Sequence, residues 1–130
     1  MDTPEWLERL LLRLRTNDVE TGASEAYPDV RPLDLPLDPA PAFEAAVAAA
    51  EAMPRWEILE TSPPEGEIRA EATTPVLRFT DDVWIRVKAR TAGGSRVAMR
   101  SASRIGVTDF GTNARRIRAY LERLAKTAAD

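Results

Sequence analysis

The chain has 130 residues, 44% hydrophobic and 30% charged, with a net charge of −3 and neither cysteine nor histidine. That describes one globular domain, too short for two cores and too apolar for disorder. Disulfides, a thiol nucleophile, a zinc finger and an imidazole base are excluded, and no aspartate-rich calcium loop or apolar run of about 20 residues is present.

"TPEWLERLLLRLR" predicts an N-terminal helix within residues 1–16, with Thr3 as cap, Pro4 at the first position and Glu5 at the positive end. Trp6, Leu7, Leu10, Leu11 and Leu14 fall on one face at helical spacing. The other face mixes Glu5 and Glu8 with Arg9, Arg13 and Arg15, whereas membrane-surface helices favour a basic face. Docking on protein is therefore expected, either on the outer face of the chain's own sheet near Trp84 or on a second subunit. The acidic start lacks the basic region of a leader, and the expected location is cytoplasmic.

Residues 17–130 read as a single α+β domain. Residues 16–29 form a polar link without periodicity. "VRPLDLPL" alternates Val30, Leu33, Leu35 and Leu37 around prolines, which predicts a short edge strand. "DPAPAFEAAVAAAEAM" predicts a helix near 41–53, capped by Asp38, with Phe43, Val47, Ala50 and Met53 on one face. Its alanines suit close packing on a sheet.

Four strands follow. "RWEILETS" ends at Pro63 and Pro64, and "EGEIRAEATT" alternates Ile68, Ala70 and Ala72 with charged residues. "DDVWIRVKAR" sets Val83, Ile85, Val87 and Ala89 inward, with Trp84, Arg86, Lys88 and Arg90 outward. The Gly93-Gly94 turn leads into "SRVAMRSASR", where Val97, Met99, Ser101 and Ser103 share the inward side. A terminal helix near 110–126 completes the order α-β-α-β-β-β-β-α. Short turns between consecutive strands give an antiparallel sheet with the two main helices on one face, of TATA-binding-protein-like or helix-grip-like type.

Charge is unevenly distributed along the chain. Residues 1–75 carry 6 Arg/Lys against 16 Asp/Glu, and residues 76–130 carry 12 against 5. Mutual attraction of the two halves accounts for this, with an anionic ligand as the alternative. Nucleic acid is not an expected partner, because the basic half lacks a stacking platform.

"RSASRIGVTDFGTNARRIRAYLERL" is the stretch that asks for chemistry. Phe110, Ala114, Ile117, Leu121 and Leu124 form one helical stripe, which starts the helix at Phe110 with Asp109 as cap. Asn113, Arg116 and Tyr120 form the neighbouring stripe. Arg104 can reach Asp109, or Asp81 and Asp82, and an arginine fork on a carboxylate would pin this corner. The same geometry suits a small anion, with Arg100, Ser101, Ser103, Arg104, Asp109, Asn113 and Arg116 as ligand-binding candidates. A catalytic serine would need a base, and neither Lys88 nor Lys126 follows a serine at a recognised spacing. No catalytic residue, metal site or cofactor is expected. Asp81 and Asp82 point to opposite faces of their strand, so they form no dyad.

The string from Arg100 to Leu121 and the element order resemble the bacterial and plastid family catalogued as domain of unknown function 1499. The resemblance rests on Arg100, Ser101, Ser103, Arg104, Gly106, Asp109, Gly111, Asn113, Arg115 and Arg116, with the acidic pair of "FTDDVWIRV" beside them. It covers about residues 17 to 125 and implies no activity. Family members often carry a cysteine after the asparagine of the link; here Asp18 follows Asn17, which argues against a cysteine-dependent role.

Two function classes follow. The first is a non-enzymatic binding or interaction module, self-associating or docking a protein partner through Trp6, Leu7, Leu10, Leu11, Leu14 and Trp84. The second is a small-ligand or anion-binding protein, or an enzyme, using a helix–sheet pocket or the corner of Arg104, Asp109 and Asn113. A cavity of several hundred cubic ångströms would favour the second.

Overall fold

Two-residue alternation builds the sheet. In a computed structural model, Ile68, Ala70 and Ala72 of one strand and Val83, Ile85 and Val87 of the next are all buried, while Arg69 and Arg86 between them are exposed. The structure describes residues 3–106 and 109–129; the side chains of residues 13–15, Leu14 among them, lie outside the described residues.

The elements are α1 (Glu5–Arg15), β1 (Asp18–Glu20), β2 (Leu33–Leu35), α2 (Pro39–Glu51), β3 (Trp56–Ser62), β4 (Glu67–Thr73), β5 (Thr80–Ala89), β6 (Ser95–Ser103) and α3 (Thr112–Ala129). All pairings are antiparallel, in the order β1-β6-β5-β4-β3, and β2 also pairs with β6. β1 and β2 lie one after the other along the same edge of β6: Val19 opposes Ser101, and Leu33 opposes Val97.

α2 and α3 pack on one face. Ala42, Ala46, Ala49 and Ala50 are buried on α2, and Ala114, Ile117, Tyr120 and Leu124 on α3. Tyr120 stacks on Trp56 with ring centroids 5.3 Å apart, and its hydroxyl donates to the Ala46 carbonyl at 2.8 Å. The buried hydroxyl has its pKa pushed well above 10.0. Small residues on α2 bring the helix down onto the sheet and onto Tyr120. This is an α+β arrangement, an antiparallel sheet with both main helices on one face.

Several local expectations change. The polar link contributes β1, whose only buried residue is Val19. The proline-flanked strand shrinks to Leu33–Leu35, while Val30 is buried in a turn, its carbonyl accepting from Gly22. Asp38 stands at the α2 cap position but makes no side-chain cap bond. Ala89, the last residue of β5, is exposed.

α1 does not cover the outer face near Trp84 within the chain. Trp6 is 68% exposed, and Leu10 and Leu11 are exposed too. Trp84 is half-buried under the Arg100 guanidinium, 4.6 Å above its ring, which serves the tryptophan in place of a covering helix.

The charge asymmetry resolves into pairs between the two halves. Asp18 meets Arg100, Asp34 meets Arg90 and Arg96, Glu67 meets Arg86, Glu71 meets Arg104, and Asp29 meets Arg118.

Candidate functional site

Side-chain parity along β6 splits the corner into two layers. Ser101 points inward with Val97 and Met99, whereas Arg100 points outward beside Trp84 and Glu20. β5 does the same with its acidic pair: Asp81, opposite Ser103, is buried, and Asp82, opposite Ala102, faces outward.

The inner layer is a buried polar network centred on Asn113, which is 0% exposed. Its amide nitrogen donates to Asp109 Oδ2 at 2.6 Å, to Ser103 Oγ at 2.9 Å and to the Asn17 carbonyl at 3.1 Å. Its amide oxygen accepts from Ser101 Oγ at 2.6 Å and from Arg116 Nη1 at 2.8 Å. Arg116 Nη1 also donates to Ser101 Oγ at 3.0 Å, and its Nη2 lies 2.8 Å from Asp81 Oδ2. That last approach is too oblique for a hydrogen bond, so Asp81 Oδ2 is charge-paired without a donor.

The helix start differs from the expected one. α3 begins at Thr112, and Phe110 adopts a left-handed φ of 53°, followed by Gly111 at 82°. The ring is thrown outward, 77% exposed, and does not head the core stripe. Asp109 still serves the helix end: Oδ1 accepts from Gly111 N at 2.7 Å and Oδ2 from Asn113 N at 3.0 Å. The Asp109 N–H donates to the Thr16 carbonyl at 3.0 Å, and Asn17 Nδ2 donates to the Gly106 carbonyl at 2.6 Å. The end of α1 is thereby tied to the corner.

The outer layer holds the other two arginines. Arg104 reaches neither Asp109 nor Asp81. It binds Asp82 through Nε at 3.1 Å and Nη2 at 2.8 Å, and Glu71 at 2.6 Å, with 45% of its side chain exposed. The Arg104 hydrogen bond holds the Asp82 carboxyl below its ordinary range, and the two carboxylates raise the guanidinium in turn. Arg100 grips Asp18 at 2.9 and 2.6 Å. Of these three arginines, Arg116 is the buried one. Thus Ser101, Ser103, Asp109, Asn113 and Arg116 come together, whereas Arg100 and Arg104 lie across the sheet from them.

Sequence reasoning passed over the apolar surface beside this corner. Val76 and Leu77, in the loop between β4 and β5, are 85% and 68% exposed, and Ile105 is 60% exposed. With Phe79 and Phe110 they wall a cleft of about 360 Å³, with Asp81, Ser103, Asp109 and Thr112 also lining it. The sequence "TTPVLRF" places these apolar residues between two predicted strands, in a segment to which no element was assigned. A second, open groove of about 850 Å³ runs between α2 and the β3–β4 turn, over Phe43, Val47, Pro64 and Val87. Among the described residues, no cluster of three or more acidic side chains could hold a metal ion.

The sequence model of a family described as "Protein of unknown function (DUF1499)" matches residues 13–124. The chain belongs to this family. The DUF1499 match takes in the whole sheet, α2 and the corner, and leaves residues 1–12, most of α1, outside it. No curated protein matches the chain. Among solved structures, Ara h 8.0201 is 13% identical, with 87% of this chain and 98% of that chain covered and a TM-score of 0.46. A Chromobacterium violaceum protein is 10% identical over 88% and 96%, with a TM-score of 0.43. A Thermus thermophilus protein is 11% identical over 85% and 93%, with a TM-score of 0.38. No helix among the described residues of this DUF1499 chain is long and apolar enough to cross a membrane.

Proposed function

We propose that this chain is a non-catalytic interaction module whose docking surface is the apolar cleft beside the strand-to-helix corner. One observation carries the reading: Val76, Leu77, Ile105 and Phe110, each at least 60% exposed, converge on a single cleft. Scattered surface apolar residues are ordinary, but contiguous ones mark an interaction site. The polar network beneath supports it. Both serine hydroxyls are engaged by Asn113, so the network acts as a rigid floor.

The test is a fluorescence titration with anilinonaphthalene sulfonate. Measured at high dilution, where any self-association is reversed, wild type is expected to bind the dye, and Leu77→Asp to lose most of that signal with its circular dichroism unchanged. Full binding by Leu77→Asp would move the surface away from the cleft.

The groove beside α2 supports a second reading, a small-ligand protein, because about 850 Å³ falls within the range of ligand sites. Dye binding lost in Val47→Asp and kept in Leu77→Asp would select it. An anion at the corner is the remaining alternative. Arg104 would then have to exchange Asp82 and Glu71 for the ligand.

A further inference from the structure

We infer that the occupant of the cleft is Trp6 of a second copy, so that the chain forms a two-fold dimer by reciprocal exchange of α1. This rests on the reading of the cleft as a docking surface. Trp6 is 68% exposed at the far end of α1. The near end of α1 is fixed at the cleft wall, where Asp109 N–H binds the Thr16 carbonyl and Asn17 binds Gly106. Ten residues of helix separate Thr16 from Trp6, about 15 Å at 1.5 Å per residue. A stiff arm of that length carries Trp6 away from its own cleft and toward a neighbour's.

Symmetry favours the same arrangement. A two-fold interface needs one self-complementary patch, with a projection and a recess side by side on each copy. Here both spring from one corner. Charge agrees as well: Glu5 is paired with Arg9 at 3.1 Å, which leaves Glu8 as the acidic group two residues from Trp6, and the cleft is flanked by Arg78 and by Arg115, which donates to the Phe110 carbonyl.

The experiment is sedimentation equilibrium on the full chain. Wild type is expected to sediment at twice its 14.4 kDa mass. Trp6→Ala and Leu77→Asp are each expected to raise the dimer dissociation constant about 30-fold or more, as for a buried tryptophan hot spot. Mixing the two variants restores one of the two contacts, from the intact Trp6 of one to the intact cleft of the other. The mixture should therefore associate more tightly than either variant alone. A wild type that stays monomeric overturns the dimer, as does a mixture no tighter than its parts. The same holds if Trp6 binds phosphatidylserine vesicles while the protein remains monomeric. Dye binding that still depends on Leu77 in a monomeric protein would leave the cleft a docking surface for another partner. Loss of both would remove the surface itself.

Discussion

Arg116 on α3 and Asp81 on β5 meet at 2.8 Å with only 8% and 3% of their side chains exposed. Among the described ion pairs they alone are both buried; every other pair keeps at least 27% of each side chain in solvent. Removing one member of such a pair strands the other, at a cost of about 3–5 kcal/mol. Arg116→Met should therefore lower stability by about that amount in urea unfolding. Adding Asp81→Asn removes the stranded charge, so the double variant should be more stable than Arg116→Met alone. Equal or additive losses would show that the two residues are not coupled.

What could be read beforehand follows from periodicity. β4, β5 and β6 are long enough for inward and outward residues to separate, and their boundaries were legible. β1 has three residues and one buried side chain, Val19, so it exists only through its register with β6. Phe110 has the right spacing for the α3 stripe, but its left-handed backbone before Gly111 removes it from the helix. Parity also carried an unused signal at the site. Arg104 shares its side of β6 with Arg100, and Asp82 shares that outer face, so their pairing was implied while Arg116 faced Asp81. The cleft was not legible, because loop apolar residues have no period to betray them.

The pH dependence of stability should be a broad plateau. Hydrogen bonds from Arg104 and Arg96 hold the carboxyls of Asp82 and Asp34 below the ordinary 3.8. A depressed carboxyl contributes stability above its unfolded value and loses it as pH falls through the folded one. Tyr120 is shifted the other way by burial, so its contribution is full below 10.0 and is lost as pH rises beyond it. With no histidine between these limits, melting temperature should be flat from about pH 5 to 9 and fall on either side. Arg104→Ala should soften the acid limb and Tyr120→Phe the alkaline one. A steep slope near pH 7 would contradict this assignment.

Gly66 in the β3–β4 turn has φ of 68°, and a β-carbon there would lie 2.2 Å from the Val87 carbonyl oxygen. The Val87 N–H donates to the Gly66 carbonyl at 2.7 Å, so the turn cannot lift without breaking that bond. Gly93, at φ 99°, has nothing within 4 Å of the same position. Gly93→Ala should incur only backbone strain of about 1–2 kcal/mol, and Gly66→Ala should cost distinctly more. Because Val87 and Gly66 both line the α2 groove, Gly66→Ala also tests whether ligand binding resides there. Equal stability of the two variants would mean that the turn relaxes freely.

Arg104 decides between a tied corner and an anion site. Its guanidinium is held by Asp82 and Glu71, yet 45% of the side chain remains in water. Exposed pairs contribute little and are weakened by salt. Arg104→Ala should therefore destabilise much less than Arg116→Met, the reverse of what a buried Arg104 would give. Sulfate stabilises folded chains generally through exclusion from their surfaces. A tied corner predicts that sulfate raises the melting temperature of wild type and Arg104→Ala equally. An anion site predicts an extra increment in wild type that saturates with sulfate and is absent from the variant. The carboxylates already on Arg104 favour equal shifts. A saturable, Arg104-dependent increment would instead make this corner the binding site.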